Sequence, residues 1–198
     1  MVVLGMHRSG TSLIASMLDA LGVHMGDRLM PPSKANPHGY YEDMAFVKLN
    51  RSLLRQAGGS WNRPPAARSI AASPLRGNAR ALVRQKARRK LWGWKDPRTC
   101  LTIGLYHDAL SSPRYVLVER DTDDVVASLQ RRDGDGDWRG LIATYRQRVA
   151  DFVAHYEPLV LALRYEDVCA DPMDAARKLA QFVGADKALI GQAPGRVQ

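Results

Sequence analysis

The chain has 198 residues, of which 45% are hydrophobic, so we expect one globular domain over residues 1–198 with a full core and not two domains. No window near the length of a membrane span is free of charges, and the N-terminus opens on a strand-like run. These features predict a cytoplasmic protein without a membrane span or a leader. Cys100 and Cys169 follow no partner pattern, which argues against a disulfide framework or a zinc site and predicts two buried thiols.

The net charge of +9 is concentrated in one segment. Residues 44–95 contain thirteen Lys and Arg and no Asp or Glu, whereas the rest of the chain has 16 basic and 20 acidic residues, a net charge of −4. Such a segment attracts polyanions or steers a charged ligand towards a cleft. Apolar residues recur at helical spacing between its arginines, so a solvated helix face is an equally good interpretation.

Short apolar runs alternate with helical patterns, which predicts parallel strands joined by crossover helices. We predict a first strand at residues 1–5 and a helix at 10–21. Residues 22–41 are rich in Pro, Gly and Met, which indicates an extended connection over the sheet edge. A second helix is predicted at 43–57, and residues 58–78 have the composition of a mobile loop.

The second half of the chain continues the alternation after a basic helix. The stretch LWGWKDPRT predicts a short strand that ends at Lys95, with Asp96 as N-cap and Pro97 at the first helical position. The run RYVLVERD is the clearest strand, and a helix with an acidic first turn follows at 121–132.

A long helix is predicted at 138–156, a last strand in PLVLALRYED and a closing helix at 172–183. The pattern as a whole predicts a three-layer α/β fold with a central, mainly parallel sheet. Open parallel sheets bind ligands outside the carboxyl ends of their strands, so we expect the loop at 5–12 to converge with Lys95 and Arg120.

The string GMHRSGTS at residues 5–12 joins the first strand to the first helix. Gly5, four residues and Gly10 match the spacing of a phosphate-binding loop, in which backbone N–H groups and a helix N-terminus surround an anion. Nucleotide triphosphatases need a lysine where this chain has Thr11, and the cation of the loop is instead Arg8. The loop therefore predicts an anion site of another kind.

At this loop the sequence resembles the sulfotransferases that use 3'-phosphoadenosine 5'-phosphosulfate (PAPS) and share the architecture of P-loop kinases. Arg-Ser-Gly-Thr-Ser matches the family's loop for the 5'-phosphosulfate position by position. A strand-end arginine and a serine eight positions on hold the 3'-phosphate in that family, and Arg120 and Ser128 match. Lys95 in WKDPR looks like the Lys-Asp-Pro of the tyrosylprotein sulfotransferase branch, where the lysine helps to stabilise the transferring sulfonyl group. The donor-binding residues that the resemblance implies are Arg8, Ser9, Gly10, Thr11, Ser12, Arg120 and Ser128.

The resemblance spans residues 3–184 and implies transfer of a sulfonyl group from PAPS to a hydroxyl or amine acceptor, with adenosine 3',5'-bisphosphate as product. The transferred group carries less charge than a γ-phosphoryl group, so Arg8 and Lys95 can stabilise the in-line transition state without a metal. The Arg-Ser-Gly-Thr loop resembles the carbohydrate and tyrosylprotein branches more than the cytosolic branch. A carbohydrate or another anionic, hydroxyl-bearing molecule is the expected acceptor.

A base must take the proton of the acceptor hydroxyl, and the candidates between the first two helices are Asp27, His38, Glu42 and Asp43. Sulfotransferases use His or Glu here according to branch, and those with Arg in the donor loop often use Glu. This favours Glu42, whose alternative role is that of a helix N-terminal carboxylate. His38 is the second choice.

Two features depart from the family. His7 stands where the cytosolic branch has proline, and the basic C-terminal loop of that branch is not recognisable in this chain unless residues 194–197 are a remnant.

Two other functions stay open. One alternative is a P-loop kinase or NTPase with Glu119 or Asp121 as magnesium ligand. The other is a non-catalytic module that binds nucleotides or polyanions. No interleaving of basic and aromatic residues points to nucleic acid, so no nucleic-acid partner is expected.

Overall fold

A computed structural model, which describes residues 1–33 and 36–193, contains one four-stranded sheet in the order β2-β1-β3-β4. Strand β1 pairs with β2 and β3, and β3 pairs with β4, each time in parallel. The strand order places the end of β1 between the ends of β2 and β3. The strands are β1 Val2–Leu4, β2 Trp94–Lys95, β3 Arg114–Glu119 and β4 Leu159–Arg164.

Helices cover both faces of this sheet, and the strands and long helices expected from the sequence are all present with end shifts of a few residues. The helices are α1 Thr11–Ala20, α2 Met44–Gln56, α3 Ala67–Ala71, α4 Arg76–Lys86, α5 Thr99–Thr102, α6 Gly104–His107, α7 Thr122–Asp133, α8 Trp138–Tyr156, α9 Tyr165–Ala170 and α10 Pro172–Val183, followed by a 3-10 helix at Lys187–Gln192.

The two faces of the sheet bury separate apolar clusters, because side chains alternate along each strand. Val2 and Leu4 of β1 pack with residues of α2, α4, α7 and α8. Val3 faces the other way and packs with residues of α1, α9 and α10. The predicted three-layer α/β fold with a parallel sheet is thereby confirmed.

The local differences from the predicted elements have physical reasons. The segment at 58–78, predicted as a loop, holds α3 and the start of α4, because Ile70 is buried in the core and fixes a short helix that its sequence alone does not indicate. Asp96 caps the next turn as predicted, since its Oδ1 accepts from the Arg98 N–H at 3.1 Å, but regular helix begins at Thr99 instead of Pro97.

Two predictions about surface and interior have different outcomes. Cys100 is buried as expected, whereas Cys169 is exposed, because α9 turns Val168 and not its neighbour towards the core. In the described part of the chain, no helix combines the length and the apolar character needed to cross a membrane.

Candidate active site

The loop between β1 and α1 has the backbone geometry of an anion-binding turn. Arg8 and Gly10 adopt positive φ angles of 69° and 87°, and α1 begins at Thr11 without a side-chain cap. Such a turn gathers backbone N–H groups around one point. A Cβ at Gly10 would lie 2.1 Å from the Tyr165 ring, and one at Gly5 would lie 2.6 Å from Thr11 Cγ2. The close packing explains both glycines of the motif.

A cavity of about 250 Å³ lies at this loop and is bounded by the carboxyl ends of β2 and β3. The expected convergence of the loop with Lys95 and Arg120 is therefore observed. Ser9 and Ser128 are buried and are not among the described residues that line the cavity. The other predicted site residues line it: Arg8, Gly10, Thr11, Ser12, His38, Glu42, Lys95 and Arg120.

Arg8 and Arg120 connect the loop to the end of β3 and to α7. Arg8 Nε donates to Ser128 Oγ at 2.8 Å, and an Arg120 guanidinium N–H donates to the Arg8 carbonyl at 3.2 Å. The Arg120 guanidinium also lies 4.5 Å from the centre of the Tyr165 ring. Its Nε is buried and has no hydrogen-bond partner among the described residues. The cluster joins two positive charges to an unsatisfied donor, which suits an anion.

Lys95 and Glu42 form a buried ion pair beside the loop. Lys95 Nζ lies 2.7 Å from Glu42 Oε1 and 3.2 Å from Ser12 Oγ. Burial raises the pKa of Glu42 and lowers the pKa of Lys95, because both charged forms lose hydration that their mutual attraction does not fully replace. A carboxylate with a raised pKa is suited to proton transfer near neutral pH.

A buried polar network holds Glu42 from behind. Arg98 lies 3.6 Å from Glu42 Oε2 and 2.7 Å from Asp96 Oδ1. Asn50 of α2 donates to Asp96 Oδ2 at 2.9 Å and accepts from the Tyr106 hydroxyl at 2.8 Å. The network ties α2 to the end of β2 and so fixes the side chains that face the cavity.

Of the other three base candidates, Asp27 and Asp43 are engaged elsewhere. Lys86 Nζ lies 2.6 Å from Asp27 Oδ2 and 2.5 Å from Asp43 Oδ2, and neither carboxylate lines the cavity. Hydrogen bonds from Lys86 and from a neighbouring histidine lower the pKa of Asp27. The N-cap of α2 is Asp43, so the helix N-terminal role considered for Glu42 belongs to Asp43. His38 lies exposed at the cavity rim.

His7 and Arg132 belong to the site although no role was predicted for either from the sequence. His7 lies 4.6 Å from Trp61, ring centre to ring centre, and the Arg132 guanidinium lies 5.0 Å from the Trp61 ring. Both His7 and Arg132 line the cavity. Burial lowers the pKa of His7 well below its ordinary value, and the charges of Arg98 and Arg132 lower it further. The only sequence signal was the departure from proline at His7.

The basic segment is largely a solvated surface. Lys48, Arg51 and Arg55 are exposed at helical spacing on α2, and the arginines of α4 are exposed in the same way. Arg76 and Arg80 lie 3.3 Å and 3.6 Å from Asp108. The helix-face interpretation of the segment is therefore correct for its arrangement, and attraction of a polyanion stays a prediction.

The magnesium ligands of the kinase alternative do not reach this cavity. Asp121 caps α7 by accepting the Asp123 N–H at 2.8 Å, and neither Asp121 nor Glu119 is among the described residues that line the cavity. Residues 194–197, considered above as a remnant of a C-terminal loop, lie outside the described residues.

Fold and site together define an α/β protein whose first strand leads into an anion-binding loop, with cations from the loop and from two strand ends around one cavity. The sequence matches the profile of the Sulfotransferase family over residues 1–188. The match covers most of the chain, and the chain belongs to the sulfotransferase family.

Solved structures add a likeness in fold. The chain is similar to the sulfotransferase STF1 from Mycobacterium tuberculosis H37Rv, with a TM-score of 0.55 and 16% identity, over 98% of this chain and 70% of that one. An identity this low supports the fold alone. No curated protein matches the chain in sequence.

Proposed function

We propose that residues 1–198 form one sulfotransferase domain that transfers a sulfonyl group from PAPS to an acceptor hydroxyl, in line and without a metal. The observation that carries this proposal is the arrangement of the glycine loop, the Lys95–Glu42 pair and Arg120 around one cavity. Family membership and fold support the transfer reaction. We further propose that segment 58–78 is a mobile cover.

The residues present fit PAPS as donor. The loop offers backbone N–H groups around Gly10, where the Tyr165 ring leaves no room for a side chain. Arg120 has a buried Nε without a partner among the described residues. We assign the loop and Arg8 to the 5'-phosphosulfate, and Arg120 with Ser128 to the 3'-phosphate. When bound, PAPS supplies an activated sulfonyl group with a phosphate as leaving group.

The side chains that line the cavity have different roles in the transfer. Glu42 takes the proton of the acceptor hydroxyl, a role that its raised pKa favours. Lys95 and Arg8 hold positive charge where the leaving oxygen becomes negative. Ser12 accepts a hydrogen bond from Lys95 and keeps its ammonium group at the loop.

The charges that line the cavity suit an anionic donor. Among the described residues that line it, Glu42 is the one carboxylate, against Arg8, Lys95, Arg120 and Arg132. The phosphates and the sulfate of bound PAPS would balance these cations, so the acceptor class rests on the resemblance of the loop to the carbohydrate branch. We therefore keep a carbohydrate or another anionic, hydroxyl-bearing molecule as the acceptor class.

The donor assignment predicts the order of thermal shifts. Adenosine 3',5'-bisphosphate at 100 times its dissociation constant should stabilise the protein by about 2.7 kcal/mol, or about 5–10 °C in melting temperature. AMP lacks the 3'-phosphate and should raise the melting temperature clearly less. Arg120→Gln is the matched control and should reduce the bisphosphate shift to that of AMP. Equal shifts for AMP and the bisphosphate in the wild type would remove Arg120 and Ser128 from the donor site.

The base assignment predicts the effect of Glu42→Gln. Glutamine keeps an oxygen for Lys95 but cannot take a proton, so turnover should fall by about 10²-fold or more while the bisphosphate shift is retained. The acid limb of the pH–rate profile should disappear, because it reports protonation of this carboxylate. Asp27→Asn and His38→Gln are the controls and should be much milder. An inactive His38→Gln beside an active Glu42→Gln would assign the base to the histidine.

A further inference from the structure

A second cavity, called the α8 cavity below, lies between α8 and the end of β3. Its volume is about 650 Å³, against about 250 Å³ for the cavity of the candidate active site. Two residues of the glycine loop, Met6 and Ser9, line the α8 cavity only, and Arg120 is the one described residue that lines both cavities. Lys95 and Glu42 line the active-site cavity only, so the proposed transfer leaves the α8 cavity without a role.

One stripe of α8 forms a long wall of this cavity. The stripe consists of Arg139, Ala143, Arg146, Ala150 and Val153, which line the cavity at intervals of three or four residues and so lie on one side of the helix. At a rise of about 1.5 Å per residue, the stripe is about 21 Å long. The α8 cavity is therefore elongated and suits an extended chain.

The stripe runs from the carboxyl end of β3 towards the start of that strand. Arg146 donates to the carbonyl of Arg120, directly after β3, at 2.8 Å. Further along α8, the Phe152 ring lies 5.2 Å from the Tyr115 ring near the start of β3, centre to centre. The arginines of the stripe thus lie near the strand end, and Val153 lies further back along the strand.

Cationic groups gather at the end of the cavity that is near the carboxyl end of β3. Arg120, Arg139 and Arg146 line the cavity, and Glu119 is the one carboxylate among its described lining residues. Arg139 is paired with an aspartate of α7. Arg146 donates to the Thr122 hydroxyl and to the Arg120 carbonyl, and both acceptors are neutral. In the described part of the chain Arg146 has no carboxylate partner, so its guanidinium suits a carboxylate of a ligand.

The rest of the lining is mostly apolar and is incompletely covered. Leu117 and Val153 are half-buried, and Ala143 and Ala150 are exposed, with side chains too short to fill the space beside them. Burial raises the pKa of Cys100 to about 12, so this thiol is uncharged and adds to the apolar wall. Apolar groups that remain in contact with water favour a ligand that removes them from it.

We infer that the α8 cavity is a second ligand site, which binds a single-chain fatty carboxylate. The carboxylate lies at Arg146, and the alkyl chain extends along α8 past Ala150 to Val153. The length of the stripe fits one extended chain, and the arginines provide the complementary charge. Such binding is independent of sulfonyl transfer, because the ligand does not enter the active-site cavity.

Calorimetric titration with laurate, kept below its micellar concentration, tests the site. Laurate should bind one to one and at least about tenfold more tightly than dodecyltrimethylammonium, which has the same chain length but the opposite charge. From octanoate to laurate, the affinity should rise about fourfold per methylene, because each added group is buried. Arg146→Gln should reduce the preference for laurate over the cation about tenfold.

Two variants fill the cavity from exposed positions of α8. Ala150→Trp and Ala143→Trp place an indole ring in the space of the chain and should lower the affinity for laurate about tenfold or more. Ala154→Trp is the matched control, since Ala154 is exposed on the same helix but is not among the described residues that line the cavity. It should bind laurate like the wild type. The melting temperatures of the three variants check that the fold is retained.

Adenosine 3',5'-bisphosphate separates the two cavities. Laurate and the bisphosphate should bind together, each weakening the other less than about tenfold through the shared Arg120. Exclusion of laurate by saturating bisphosphate would place laurate in the active site and overturn the α8 site. Binding of laurate without the bisphosphate, by contrast, supports the α8 site and overturns the proposed function.

Three further results would overturn the α8 site while sulfonyl transfer stands. The first is the absence of saturable laurate binding, and the second is an equal affinity for laurate in Ala150→Trp and Ala154→Trp. The third is self-association of the wild type, measured by sedimentation, that Ala150→Trp abolishes. In that case a second copy of the chain, and not a fatty carboxylate, covers the cavity.

Discussion

Arg8→Ala is expected to lower the turnover of sulfonyl transfer by about 10²–10³-fold, as does the loss of one preorganised donor in other enzymes. Arg8 lines the cavity and is fixed by its hydrogen bond to Ser128. Its removal takes positive charge from the place where negative charge develops. Alanine keeps a Cβ at the same positive φ, so the backbone demand of the loop is unchanged. Single-turnover rates measure the effect on transfer, and the melting temperature measures the effect on stability.

Arg8→Lys is the control for charge. It keeps a positive group but loses the guanidinium that Ser128 holds, so its rate should lie between those of wild type and Arg8→Ala. Ser128→Ala should be milder than either, because the charge remains. Wild-type turnover in Arg8→Ala would assign the electrostatic role to Lys95, the other cation of the loop wall.

The sequence predicted those parts of the site that depend on local pattern and on the topology of a parallel sheet. Loop 5–12 follows β1, Lys95 ends β2 and Arg120 follows β3. Because parallel strands present their carboxyl ends at one edge, three separate segments could be expected at one site before any distance was known. Asp96 as a cap followed from its position before a proline in the same way.

Contacts between distant segments could not be predicted in this way. Glu42 was chosen from four candidates by resemblance. Its place in the cavity lining and its 2.7 Å contact with Lys95 separate it physically from Asp27 and Asp43. Those two carboxylates have Lys86 as partner, which no spacing in the sequence indicates. His7 lacks a signal for the same reason, since its burial depends on a tryptophan 54 residues further along the chain.

Asp96→Ala is expected to give the largest loss of stability in the site. Asp96 is 0% exposed and accepts from both Asn50 and Arg98. Although burial alone lowers the pKa of Arg98, the neighbouring Asp96 and Glu42 raise it, so the guanidinium stays charged. Without Asp96, the one carboxylate left within 4 Å of this buried cation among the described residues is that of Glu42 at 3.6 Å. The free energy of unfolding should fall by about 3–5 kcal/mol.

Urea unfolding measures this loss, and two variants test its cause. Asp174→Ala removes a partly exposed partner of Lys178 at 2.7 Å and should cost far less than Asp96→Ala, because solvent screens the pair. The double variant Asp96→Ala with Arg98→Met should be more stable than Asp96→Ala alone, since no unpaired charge remains buried. A fall below about 1 kcal/mol in Asp96→Ala would mean that water or Glu42 satisfies Arg98. Because the charge of Asp96 contributes to the raised pKa of Glu42, its removal should also move the acid limb assigned to Glu42 to lower pH in the same variant.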